Sequence, residues 1–188
     1  QGLEWLTIPV ITKGRFEQPI DEVEISEPWA EKHWRALELA YGRAPFFRDY
    51  RDMVRGWYER AGQERLLTKV NELFLRELAA LLKLETRIVR DTDYPGPRRK
   101  TERLAAIARA AGADAYLSGP SARAYLEEDL FAQAGIAVDW MSYEGYGLYP
   151  QLHGGFEHAV TVLDVIFNAG PQAPALIRAP LLNQTPPC

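Results

Sequence analysis

The chain has 188 residues, of which 47% are hydrophobic and 26% charged, and its net charge is −4. That balance fits one globular domain with a real core and excludes wholesale disorder. The mildly acidic charge argues against general binding to nucleic acid or to anionic membranes. No apolar run approaches the ~20 residues of a membrane span. The one cysteine, Cys188, is terminal and forms neither an internal disulfide nor a cysteine metal cluster. With no signal peptide in view, this predicts a cytoplasmic, reducing setting. The chain opens without Met and enters a strand pattern almost at once, as expected of a fragment lacking its natural N-terminus.

In chain order, Trp5 to Val10 is rich in β-formers, with Pro9 marking an edge or a strand end. Lys13-Gly14-Arg15 is a turn, and Glu22 to Ile25 alternates as a second short strand, so the pair predicts a hairpin, with the Lys-Gly-Arg loop a further candidate neighbour of a site. Ser26 and Pro28 announce a helix from Trp29 to Tyr41, ended by Gly42, with Trp34, Leu37 and Tyr41 as its buried stripe. A second helix runs from Ala44-Pro45 to about Arg60, and a third from Glu64 to Lys83. Their apolar faces read as scaffold, so residues 29–83 form a helical insertion.

From Thr86 the rhythm alternates. Thr86 to Arg90, Ala115 to Leu117 and Ile136 to Met141 read as strands, and Arg99 to Ala111 and Ala122 to Ala134 as the helices between them. Such spacing predicts parallel pairing. Glu157 to Ala169 is the last good helix, and the proline-rich tail 172–188 reads as extended and partly disordered. The expectation is one α/β domain over 1–171, three-layered, with a mostly parallel Rossmann-like sheet.

Ligands in open α/β sheets bind beyond the carboxyl ends of the strands, where small-residue turns lead into helix N-termini. Three loops occupy such positions. The first holds Asp91 to Tyr94 and the basic run Arg98, Arg99, Lys100, followed by Thr101; the second holds Ser118, Gly119 and Pro120; the third holds Tyr143, Glu144, Tyr146, Tyr149, Gln151 and His153. Arg99 and Lys100 suit phosphate, the Ser118-Gly119 turn offers backbone amides, and the tyrosines of the third loop offer aromatic stacking surfaces. Thr101 either contacts a ligand or caps its helix, and Ser118-Gly119-Pro120 is equally a plain tight connection. There is no P-loop string, no GxSxG elbow and no HExxH pair, so a metal site has no motif behind it. His153, in a glycine-rich loop, is the candidate general base. Asp164 stands among Val162, Leu163, Val165, Ile166 and Phe167, as either a catalytic carboxylate or a partner for the backbone amides of a neighbouring loop.

Several blocks carry a resemblance: Trp5 to Val10; Lys32-His33-Trp34 with Ala40 to Phe47; Lys100-Thr101; Ala113 to Pro120 with Tyr125-Leu126; Tyr149-Pro150-Gln151 with Phe156; and Val162 to Pro171. In this order they resemble the WbqC-like protein family. The resemblance implies a bacterial protein working on precursors of O-antigen or other surface polysaccharide, as a transferase acting on a nucleotide-linked sugar or amino sugar. Acyl, aminoacyl and glycosyl transfer fit equally. A non-catalytic protein that binds or assembles a glycan intermediate is the alternative, and an adenylate-forming or tRNA-linked activity a weaker third. Members of the family usually open with a His-Gln-Pro-x-Tyr-Leu-Pro-Trp block, which this chain does not contain. Neither cofactor nor oligomeric state is legible; the expected partner is a small molecule.

Overall fold

A computed structural model describes residues 3–97 and 99–177. It is a mixed helix-and-strand fold whose residues fall into two compact units, one of residues 3–86 with 147–177 and the other of residues 87–146.

The first unit is a helical body. Its helices are α1 (Ala30–Tyr41), α2 (Phe47–Ala61), α3 (Leu67–Leu81), α6 (Val162–Ala169) and the single turn α7 (Ala173–Leu176). Every residue from Leu163 to Ala169 of α6 is buried, as its mostly apolar surface requires, and Asp164 and Asn168 are enclosed with the rest. This helix shares one core with Trp34 and Leu37 from α1, Phe47, Val54 and Trp57 from α2, and Val70 from α3. Phe167 meets the rings of Phe47 at 5.0 Å and Tyr41 at 5.3 Å. Each such side chain, fully buried, contributes roughly 1.5–3 kcal/mol. Gly42 ends α1 by close approach, since a Cβ there would lie 2.6 Å from the Glu38 carbonyl oxygen.

The expected N-terminal hairpin is present in reduced form. Val10 pairs antiparallel with Ile25, and Glu24 with Leu66, as isolated bridges. The Ile11 amide donates to Glu24 O (2.9 Å) and the Ser26 amide to Pro9 O (3.0 Å). Ser26 is thereby engaged in this pairing rather than capping α1, whose N-cap is Trp29. Trp5 to Ile8 is not a strand, and Trp5 is 92% exposed; among the described residues no bridge lies N-terminal to Val10.

The second unit holds α4 (Lys100–Ala110), β1 (Ala115–Ser118), α5 (Glu128–Gln133) and β2 (Ala137–Trp140). The two strands pair in parallel, Ala115 opposite Ala137 and Ser118 opposite Trp140, as the β–α–β spacing predicts. Tyr116 stacks on Phe131 at 4.7 Å, over a core of Ala105, Ala108, Leu126 and Ile136. Ala115, Leu117, Ala137 and Asp139 share the opposite, exposed face.

Further details differ from the expectation. Thr86 to Arg90 has no strand assignment, so the sheet has two strands among the described residues and does not confirm a three-layer Rossmann-like arrangement. The helix expected over Ala122 to Ala134 is split into a 3-10 segment, Pro120–Ala124, and α5. The last long helix starts at Val162 rather than Glu157, and residues 147–161 are irregular. The helical turn at Ala173–Leu176 interrupts the expected extended tail, whose remainder, with Arg98, lies outside the described residues. No helix among the described residues is long and apolar enough to cross a membrane.

Candidate functional site

In the first unit, three of the residues singled out by sequence meet at one point. Thr161 caps α6, its hydroxyl accepting the Leu163 amide at 3.4 Å, and this places Asp164 on the first helical turn. Asp164 is 6% exposed. Its Oδ1 accepts the Tyr149 hydroxyl at 2.8 Å and the Gln151 amide Nε2 at 3.0 Å. Its partners are therefore side chains of the neighbouring loop rather than that loop's backbone amides. Its own carbonyl accepts Asn168 Nδ2 at 2.9 Å, which gives the second buried polar group of α6 a partner.

Gln151 also closes the loop on itself. Its Nε2 donates to Glu157 O at 2.9 Å, and its Oε1 accepts the Glu157 amide at 2.8 Å. Phe156 stands edge-on to Tyr149, 5.0 Å between centroids, and His158 edge-on to Phe156 at 4.7 Å. Burial pushes the Tyr149 phenol up to about 12; the Gln151 bond works against this and the Asp164 carboxylate with it.

Tyr41, which the sequence marks only as part of a core stripe, lies close enough to Asp164 to feel its charge. Burial first, and then the Asp164 charge, hold its hydroxyl protonated far above the usual phenol range. The signal for this role is weak in sequence: a tyrosine rather than a phenylalanine at the last position of α1. His153 is exposed, and its Nε2 lies 3.0 Å from Ala40 O on α1. It belongs to the same loop but makes no bond to Asp164 among those found.

In the second unit, Arg99, Lys100 and Thr101 line a cleft of about 420 Å³ at the start of α4, with Glu102 and Glu127. Arg99 and Lys100 are exposed, while Thr101 is buried and its Oγ1 accepts the Glu127 amide at 3.4 Å. Thr101 thus ties α4 to the start of α5. First-turn amides and two cations at one cleft suit an anion. Ser118 ends β1, buried, with its carbonyl accepting the Met141 amide at 2.8 Å. Gly119 follows it as the N-cap of the 3-10 segment, and a Cβ there would sit 3.8 Å from the Tyr143 hydroxyl.

The Lys13-Gly14-Arg15 turn borders a further cleft, of about 570 Å³, in the first unit. There Glu24 accepts Arg15 at 2.9 Å and Arg65 at 3.0 Å, and these guanidinium groups hold its carboxyl below the usual range. Among the described residues no three His, Cys, Asp or Glu side chains are grouped to hold a metal ion.

The chain is 44% identical, over 179 residues, to a Mycobacterium tuberculosis protein that carries the name uncharacterized protein Rv1507c; the match covers 95% of this chain and 77% of the relative. No solved structure gives a significant match. The model of the WbqC-like protein family matches residues 1–175, and this chain belongs to that family.

Proposed function

We propose that this protein handles a precursor of bacterial surface polysaccharide, transferring a group to or from a nucleotide-linked sugar or amino sugar. The observation that carries the reading is the joining of Tyr149, Gln151 and Asp164 in one hydrogen-bonded cluster. In this reading Tyr149 and Gln151 orient sugar hydroxyls, Asp164 accepts a proton or holds a donor, and His153 is the general base. Arg99 and Lys100, with the first turn of α4, take phosphate; Thr101 supports that turn, and the Ser118-Gly119 turn contributes amides. The parallel β–α–β order supports a Rossmann-like reading of the second unit.

One observation favours a second reading, a binding or assembly protein without turnover. Asp164 Oδ1 already accepts two donors and His153 Nε2 is already set against Ala40 O, so both candidate bases are engaged. Thermal-shift and turnover measurements against nucleotide sugars, sugar phosphates and acyl-CoAs separate the two. The transferase reading expects stabilisation by one ligand class, lost in Lys100→Ala, together with turnover lost in Gln151→Ala. Binding without turnover across the panel favours the second reading, and no binding at all removes both.

A further inference from the structure

Residues 147–161 run for fifteen positions without helix or strand, in a unit whose core is built of helices. Irregular connections of that length are uncommon in compact domains and are usually lids, binding loops or linkers. This one has an ordered internal framework. Gln151 and Glu157 exchange two hydrogen bonds, at 2.8 and 2.9 Å, closing the segment between them into a ring with His153, Gly154 and Gly155 at its exposed tip. Gly154 has φ +64, a left-handed conformation that glycine takes without strain, and a Cβ at Gly154 or Gly155 would meet nothing within 4 Å. The ring's shape is thus set within the loop itself.

Its attachment to the body is narrow by comparison. Tyr149 and Leu152 are the half-buried apolar anchors, and His153 touches Ala40 O. The polar attachment centres on a single oxygen, Asp164 Oδ1, which takes both the Tyr149 hydroxyl and the Gln151 amide. Gln151 therefore serves two tasks with one group, closing the ring and latching it to α6. Beneath lies the Asp164 carboxylate, 6% exposed, with Tyr41 near enough to feel its charge. All the partners found on this carboxylate are neutral donors, and each one that comes from the loop leaves when the loop lifts. Segments held by few contacts open locally, well below the cost of global unfolding.

We infer that residues 147–161 are a hinged strap latched on Asp164, and that its opening frees the Asp164 carboxylate, with Tyr41 beside it, for a ligand bearing hydroxyl or ammonium donors. The ligand's donors replace the Tyr149 hydroxyl and the Gln151 amide on Oδ1. This inference rests on the reading of Asp164 as a ligand-handling group, and it gives that buried carboxylate a route to a ligand. Gln151 and Tyr149 are then positioning residues that set the closed state.

Hydrogen exchange of the full chain, read by mass spectrometry, tests it. In Gln151→Ala, amides of the strap are expected to exchange about tenfold faster or more, while those of α1, α2 and α3 keep their wild-type rates. Tyr149→Phe, which removes only the hydroxyl, gives a smaller increase confined to the same peptides, and it serves if Gln151→Ala does not fold. Unchanged strap exchange in the variants overturns the strap, as does an increase shared with α2 and α3, which marks the loop as part of the global unit. The same samples, probed with an amino-sugar phosphate and a nucleotide sugar, separate the two ideas. Strap-confined opening with no binding of either probe leaves the strap standing and removes the ligand-handling role. Probe binding that is lost in Asp164→Asn, with no strap-confined opening, does the reverse.

Discussion

Tyr149 donates its hydroxyl to Asp164 Oδ1 at 2.8 Å across fifteen residues of chain, in a helix whose neighbouring Leu163, Val165, Ile166 and Phe167 are all buried. A carboxylate in such surroundings is tolerable because neutral donors surround it. Asp164→Leu fills similar space but strands the Tyr149 hydroxyl and the Gln151 amide. The expected loss is on the order of 3 kcal/mol, because unmet buried donors lose their compensation. Asp164→Asn, which keeps an acceptor oxygen, loses less. Urea unfolding of both variants checks the order, and equal losses would assign the effect to packing instead.

The raised phenols make a statement about alkaline stability. Tyr149 and Tyr58 are both pushed up to about 12 from an ordinary 10.0, each chiefly by burial. The folded state therefore keeps these protons where the unfolded chain has released them. That contribution is whole below pH 10.0 and is lost as pH rises toward about 12. Melting temperatures measured through this window should fall more steeply for the wild type than for Tyr58→Phe, which has no proton to lose there.

His33 acts on the acid side. Its ring is buried, with Nε2 3.0 Å from Thr7 O, and burial lowers its pKa from 6.5, with the Lys32 charge adding to the effect and the Thr7 bond opposing it. The unfolded chain then binds this proton first, so the contribution is whole above pH 6.5 and is lost as pH falls below it. The acid limb of the stability curve should be shallower in His33→Phe than in the wild type. Parallel limbs would show that His33 does not titrate in this range.

Two glycines give opposite signs. Gly170 has φ +54, and a Cβ there would lie 2.5 Å from the Phe46 ring, so Gly170→Ala combines backbone strain with a clash inside the core. The expected cost is roughly 2 kcal/mol or more. Gly56 lies within α2, and a Cβ there would meet nothing within 4 Å. Gly56→Ala should stabilise by about 0.5–1 kcal/mol through helix propensity and reduced unfolded-state entropy. Calorimetry on the pair checks both.

Phe167 is fully buried, between Tyr41 and Phe47. Phe167→Ala should cost about 3–5 kcal/mol by opening a cavity where α1, α2 and α6 meet. A loss below about 1 kcal/mol, measured by denaturant titration, would mean the core collapses around the gap, at variance with close packing.

Periodicity in the sequence determined the helices of the first unit, because a stripe such as Trp34, Leu37 and Tyr41 is a local consequence of 3.6 residues per turn. Alternation of short apolar runs with a helix determined the parallel pairing of β1 and β2. Composition alone marked Asp164 as unusual, since a carboxylate inside an apolar run needs a partner. Who that partner is, only the tertiary structure decided. Tyr149 and Gln151 reach it from a loop, and no spacing rule spans such separations. At the break before α5, Thr101 Oγ1, 26 residues away, accepts the Glu127 amide, where a local pattern foresees an unbroken helix. Trp5 to Ile8 has strand composition, but a strand exists only where another chain segment completes its ladder, and that pairing stops at Val10 and Ile25. Sequence patterns report which surface of an element seeks burial. The partner is settled by the free energy of the whole assembly, in which hydrogen bonds between residues far apart in the chain outweigh local propensity.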